Sequence, residues 1–297
     1  MKHSVLLRLI TTLGILLTGC SPPETPPADY VSANVGTLKY VPGGTFQRDA
    51  TATNTSTVTG FRIGVYEITR AQFDALMGTD PSDPTYSSGT DDPVQMTNWY
   101  CAIAFCNKLS LAENLTPVYS VSGVDFTTLT YGDIPTATDA DWNAADADWD
   151  ADGYRLPTEM EWLWAAMGAR NGTTGYAKAF AGSTGSNAIG DYAVYGSGSG
   201  QPGATVTERS DPVGGKLPNE LGLYDMTGNV WEWNWDLFAV YPTGPVTDYR
   251  GPAAGSSRAV RGADWQGDTS MCALSYRLIS GDPFGQYYSA GIRVARR

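Results

Sequence analysis

Histidine is almost missing from this 297-residue chain, for His3 is the only one. It lies in what reads as a removed N-terminal segment, so the mature protein has none. That excludes a Ser-His-Asp relay and every histidine-ligated metal centre. Cysteine is scarce as well: Cys20, Cys101, Cys106 and Cys272 are the full set. The apolar run from Leu9 to Leu17 is too short to span a bilayer. Charged residues make up only 17%, and they are lopsided, 31 acidic against 19 basic, for a net charge of −12. An acidic surface does not gather phosphates, so no nucleic-acid partner is expected. It suits a soluble, exposed protein. The length allows one large globular domain or two small ones. The 34 Gly, 18 Pro and 9 Trp point to many turns and irregular segments around aromatic clusters.

Residues 1–20 read as a targeting segment. Lys2, His3 and Arg8 form a basic start, and the short apolar run follows. Its end, Leu17-Thr18-Gly19-Cys20, resembles a bacterial lipobox, in which the cysteine is lipidated and becomes the mature N-terminus. Cys20 is therefore the expected membrane contact, and an ordinary cleaved signal peptide is the alternative. Residues 21–36 begin Ser-Pro-Pro-Glu-Thr-Pro-Pro, a Pro-rich tether with no core of its own. Three cysteines remain beyond Cys20, and an odd count leaves at least one thiol free. Cys101 and Cys106 sit five apart on an expected helix, roughly 140° around its axis, which is poor disulfide geometry.

Helix starts are legible. Thr69 with Gln72, and Thr158 with Glu161, are capping boxes. The first helix runs to Met77, where Gly78 stops it. Thr97 or Asn98 opens a longer helix to about Ala112, with Trp99, Ile103, Cys106 and Leu109 on one face. Leu38 to Phe46 and Phe61 to Tyr66 read as strands, with the Thr-rich run 51–59 as a loop between. Residues 171–212 are Gly/Ser-rich and read as a long surface loop. The most informative stretch is Leu221 to Asp236. Gly228-Asn229 marks a turn. After it Trp231, Trp233 and Trp235 alternate with Glu232 and Asn234, a strand period with an apolar and a polar face.

The segment Gly222-Leu223-Tyr224-Asp225-Met226-Thr227-Gly228-Asn229-Val230-Trp231-Glu232-Trp233 closely resembles the signature of the sulfatase-modifying-factor, or formylglycine-generating-enzyme-like, family. Four more stretches fit in family order: Tyr40 to Phe46, Tyr66 to Phe73, Gly153 to Trp162, and Arg261-Gly262 through Gly291-Ile292-Arg293. The resemblance covers residues 37–297 and implies one α+β domain of irregular, C-type-lectin-like fold with low regular content. It implies sites too. Family oxidases hold copper with two thiolates; Cys272 matches the second place and Gly267 stands at the first, so no copper is expected. The family disulfide would need a cysteine where Val294 stands, so Cys106 should be a buried apolar residue. Asp225, Gly228, Val230 and Glu232 match a family Ca²⁺ site of two side chains and two carbonyls. Asp148, Asp150, Asp152, Gly153 and Glu159 also fit an EF-hand loop pattern, though Pro157 inside it favours a solvated acidic turn.

Between Asp264 and Ala290 a framework (Arg261-Gly262, Cys272-Ala273, Arg277, Pro283, Gly291, Arg293) alternates with mixed residues. These are Asp264, Trp265, Gln266, Asp268, Met271, Tyr276, Leu278, Ile279, Phe284, Gln286, Tyr287, Tyr288 and Ser289. The arrangement resembles the variable region of the Treponema variable protein family, lipoproteins diversified by retroelements on this scaffold. Aromatic- and Ser-rich surfaces of that kind bind partners through rigid contact area. The expectation is a lipid-anchored envelope protein that binds a protein or small molecule at the cell surface. The alternatives are an oxidase with an unusual thiol site and a structural envelope lipoprotein.

Overall fold

A computed structural model describes Met1 and residues 27–170, 175–278 and 281–297. Cys20 and the start of the tether lie outside these residues. The chain opens with β1 (Tyr30–Ser32), β2 (Gly36–Val41), β3 (Gly44–Gln47), β4 (Thr55–Val58) and β5 (Phe61–Gly64). Helices α1 (Arg70–Met77) and α2 (Trp99–Ala112) follow, then β6 (Tyr119–Ser120), the single turn α3 (Ala140–Asn143), β7 (Asp146–Ala147) and α4 (Glu159–Ala166). A long irregular stretch leads to β8 (Trp231–Leu237), β9 (Val246–Thr247), β10 (Arg258–Arg261), β11 (Ala290–Gly291) and β12 (Ala295–Arg296). This is the irregular α+β architecture expected.

Local chemistry accounts for the helix ends. The Thr69/Gln72 and Thr158/Glu161 capping boxes both form, and Gly78 ends α1 at φ 74°. The Asn98 side chain accepts from the Cys101 N–H at 2.8 Å and opens α2.

Four small sheets share the strands, in the orders β1-β2-β5-β12, β10-β8-β11, β3-β4-β9 and β6-β7. The C-terminal run stitches two of them together. Ala290 and Gly291 pair in parallel with Trp231 and Glu232, and Ala295 and Arg296 pair antiparallel with Ile63 and Arg62. One core forms where α2 meets the three tryptophans of β8, and another where α4 meets Phe46, Leu223 and Met226.

Several expectations need correction, mostly for one reason: small sheets stacked on helices leave few elements with a wet face. Glu232 and Asn234, the polar face of β8, are fully buried as well, because β8 is the middle strand of its sheet and α4 packs against it. Helix α2 is enclosed on all sides from Trp99 to Asn107, and so is every residue of α4. Within the Thr-rich run, Thr55–Val58 is already strand, paired with β3. The Gly/Ser-rich stretch is more than surface loop, since Phe180, Val194 and Tyr195 are core and Val194 bridges Gly228. The folded domain also starts before residue 37, as Tyr30 of β1 pairs with Leu38.

Glu232 meets Arg293 in a fully buried ion pair at 2.7 Å. Removing one member of such a pair strands a charge in the interior, at a cost of about 3–5 kcal/mol. Glu232→Ala should therefore lose that much in urea unfolding, and the double change Glu232→Leu with Arg293→Met should recover much of it. A loss under about 1 kcal/mol for the single change would show that the pair holds little.

Candidate functional site

Residues 262–290 are pinned from below through framework side chains and main chain. The buried Arg261 guanidinium donates to the carbonyls of Leu274 and Tyr276. Arg277 grips the buried Glu159 carboxylate with two bonds, 2.6 and 2.7 Å, and lies over the Tyr241 ring at 3.8 Å. The Pro283 carbonyl accepts from Trp99 N–H, Tyr287 from Met96 and Ser289 from Trp231, at 2.9, 2.9 and 2.7 Å. Gly281 needs its missing side chain: a Cβ there would lie 2.6 Å from both Trp233 and Val260.

On that base, Gln266, Gln286, Tyr287 and Tyr288 are exposed, and Asp268, Met271, Tyr276, Leu278 and Phe284 are half-buried. Tyr288 packs against Tyr86, tilted, with ring centroids 4.7 Å apart, and donates to Gln266 Oε1 at 2.9 Å. Gln286 donates to the Tyr131 hydroxyl at 3.3 Å. Three residues expected on the surface lie beneath it. Trp265 is 0% exposed and packs under Tyr86 and Tyr288. Asp264 is buried and caps the turn at the Gln266 and Gly267 N–H groups. Burial raises the Asp264 carboxyl above the usual carboxylate range, against hydrogen bonds from Ser289, that turn and Trp231. Ser289 is buried and forms part of a cavity wall. Ile279 lies outside the described residues.

Three cavities flank the segment. One of about 100 Å³ is walled by Trp231, Val260, Leu278, Gly281, Tyr287, Ser289 and Ala290. One of about 90 Å³ lies between Cys101, Tyr131 and Gln286. The largest, about 440 Å³, opens between Asp282-Pro283-Phe284 and the loop Ala253 to Ser256. Tyr86, Tyr131 and the 253–256 loop were not foreseen. They are distant in sequence, and no local pattern marks them.

Asp225, Gly228, Val230 and Glu232 are all buried around the turn before β8, with Asp225, Gly228 and Asn229 at positive φ. As folded, Glu232 is not free to ligate a calcium ion. Both Glu232 oxygens are filled by Arg293, at 2.7 to 3.0 Å, and by Trp162 Nε1, at 2.7 Å. Among the described residues no three His, Cys, Asp or Glu side chains converge as metal ligands. The EF-hand pattern does not assemble either. Asp148, Asp150 and Asp152 are exposed, while Glu159 is committed to Arg277. Cys272 is buried and free, and burial pushes its thiol up to about 12, so it is protonated at neutral pH. Burial likewise raises the Cys101 and Cys106 thiols.

The fold and this face define a C-type-lectin-like scaffold with a rigidly backed, solvent-facing C-terminal segment. Residues 24–297 match the sulfatase-modifying factor enzyme 1-like domain, and the chain belongs to that family. It is 32% identical to the chaperone protein LppX of Paenibacillus barcinonensis, over 87% of this chain and 89% of that one. It superposes on Treponema denticola variable protein 1 with a TM-score of 0.80 and 36% identity, covering 91% of this chain and 99% of the other. To the formylglycine-generating enzyme of Streptomyces coelicolor it is 33% identical, over 52% of this chain and 50% of that enzyme.

Two outcomes follow from the donor geometry. Millimolar calcium should leave the melting temperature unchanged by scanning calorimetry, because Arg293 already balances Glu232; a rise of several degrees would mean that the ion displaces it. In the chain from residue 27 onward, Cys101, Cys106 and Cys272 should react with Ellman's reagent only after unfolding. Prompt native reaction at Cys272 would revive the oxidase reading.

Proposed function

We propose that this chain is a lipid-anchored binding protein of the bacterial cell envelope, held through Cys20, and that it is not a formylglycine-generating oxidase. Its ligand surface is built from Gln266, Asp268, Tyr276, Leu278, Phe284, Gln286, Tyr287 and Tyr288. The observation that carries this reading is the division of labour in residues 262–290. Main chain and framework arginines are bonded to the interior, while aromatic and amide side chains between them stand in water. Rigid aromatics lose little entropy on contact, so such a face is fitted to recognition. Similarity to a variable protein and to a chaperone protein, each over most of its length, supports a binding role. A single buried, protonated thiol gives no support to an oxidase.

The test uses the soluble chain from residue 27 on arrays of glycans and purified extracellular proteins. Changing Gln286, Tyr287 and Tyr288 together to alanine should cut binding of its hits at least tenfold while stability moves by no more than about 1 kcal/mol. Hits indifferent to the triple change, or its outright unfolding, would sink the reading.

A further inference from the structure

We propose that the occupant of this face is a folded, basic protein that inserts one apolar side chain into the cavity beneath Tyr287, rather than a small molecule. The proposal rests on the reading above that the face binds at all, and it names the class of partner.

Size and lining argue first. Sites for drug-sized ligands enclose roughly 300–1,000 Å³ within largely apolar and aromatic walls. The apolar cavity here, between Trp231, Val260, Leu278 and Tyr287, holds only about 100 Å³. That is room for the end of one aliphatic side chain. The hollow of about 440 Å³ is large enough, but its lining mixes Leu237, Pro283 and Phe284 with Thr138, Asn143, Asp282 and the small, exposed Ala253 to Ser256, short of the largely apolar wall such ligands take. The two are divided by the chain at Gly281-Asp282, which contributes Gly281 to one and Asp282 to the other. Two separate hollows, one lined by Gly281 and the other by Asp282, offer no single enclosure for a small ligand and fit two projections of another protein's surface.

The exposed aromatics are placed as interface anchors. Tyr287 and Tyr288 are 36% and 40% exposed, yet each ring is backed, by Trp233 at 6.0 Å and by Tyr86 at 4.7 Å. Pre-ordered tyrosines beside a small pocket are the composition of an interface hot spot.

Charge gives the sign of the partner. From Gly262 to Ala290 the sequence holds Asp264, Asp268 and Asp282 against a single basic residue, Arg277. Arg277 is consumed by Glu159. Asp268 and Asp282 have no ion pair among the described residues, so the complementary rim is cationic.

Two variants isolate these features without touching the tyrosines: Leu278→Trp, which fills the cavity, and Asp282→Lys, which reverses the charge. On the same arrays, protein hits should outrank glycans, weaken at least tenfold with each variant, and weaken as salt is raised. In parallel, N-acetyl-leucinamide titrated into labelled protein should shift the Trp231 indole N–H resonance in the parent and not in Leu278→Trp. Glycan hits alone, no protein hit, or a silent Trp231 would each overturn the proposal. Hits lost in the tyrosine set but indifferent to Leu278→Trp and Asp282→Lys would overturn it while leaving the binding face standing.

Discussion

The fold turns on one cation, the Arg293 guanidinium. It pairs with Glu232 and donates to the carbonyls of Gly64, Val65 and Tyr224, with no exposure at all. Those bonds join the C-terminal run, the end of β5, the turn before β8 and β8 itself. Two further carboxylates, Glu67 and Asp225, are buried nearby. Burial, with Asp225 and Glu232 as neighbours, raises Glu67 well above the usual range, and burial pushes Asp225 up to about 6. Burial thus disfavours the charged form of both Glu67 and Asp225. Glu67 in turn accepts from Asn229 Nδ2 and Val230 N–H and so fixes the turn that feeds the tryptophan strand.

This clamp explains how an exposed segment with little regular structure is still well placed. The described residues of 264–289 contain no helix and no strand. Their position comes from what bounds and underlies them: β10 and Arg261 before, β11 and Arg293 after, and Glu159 holding Arg277 in the middle. The bonds to the interior run through buried arginines and main chain.

How much was readable varied with the range of the interaction. The caps at Thr69, Asn98 and Thr158 were legible because a cap is a bond between residues three apart. The strand at Trp231–Leu237 was legible by its period of two. Alternation distinguishes two sides without saying what covers them, and here a helix covers the polar one. Trp265 was read as a surface contact from the company it keeps in sequence, yet Tyr86 and Tyr288 close over it. The acidic repeat at Asp148 looked like a calcium loop because the pattern is blind to partners, and its distal Glu159 belongs to Arg277, more than a hundred residues away.

From the chain alone came the α+β class, the family, the positions of the principal helices and tryptophan strand, and the lack of any histidine after His3. These follow from composition and short spacing, which need no knowledge of the fold. Only the tertiary structure decided which members of the closing segment face water, that Arg293 occupies the Glu232 carboxylate, and that separate hollows lie beside Gly281 and Asp282. Each of these depends on contacts across tens to hundreds of residues, and burial is a property of what the rest of the chain lays on top.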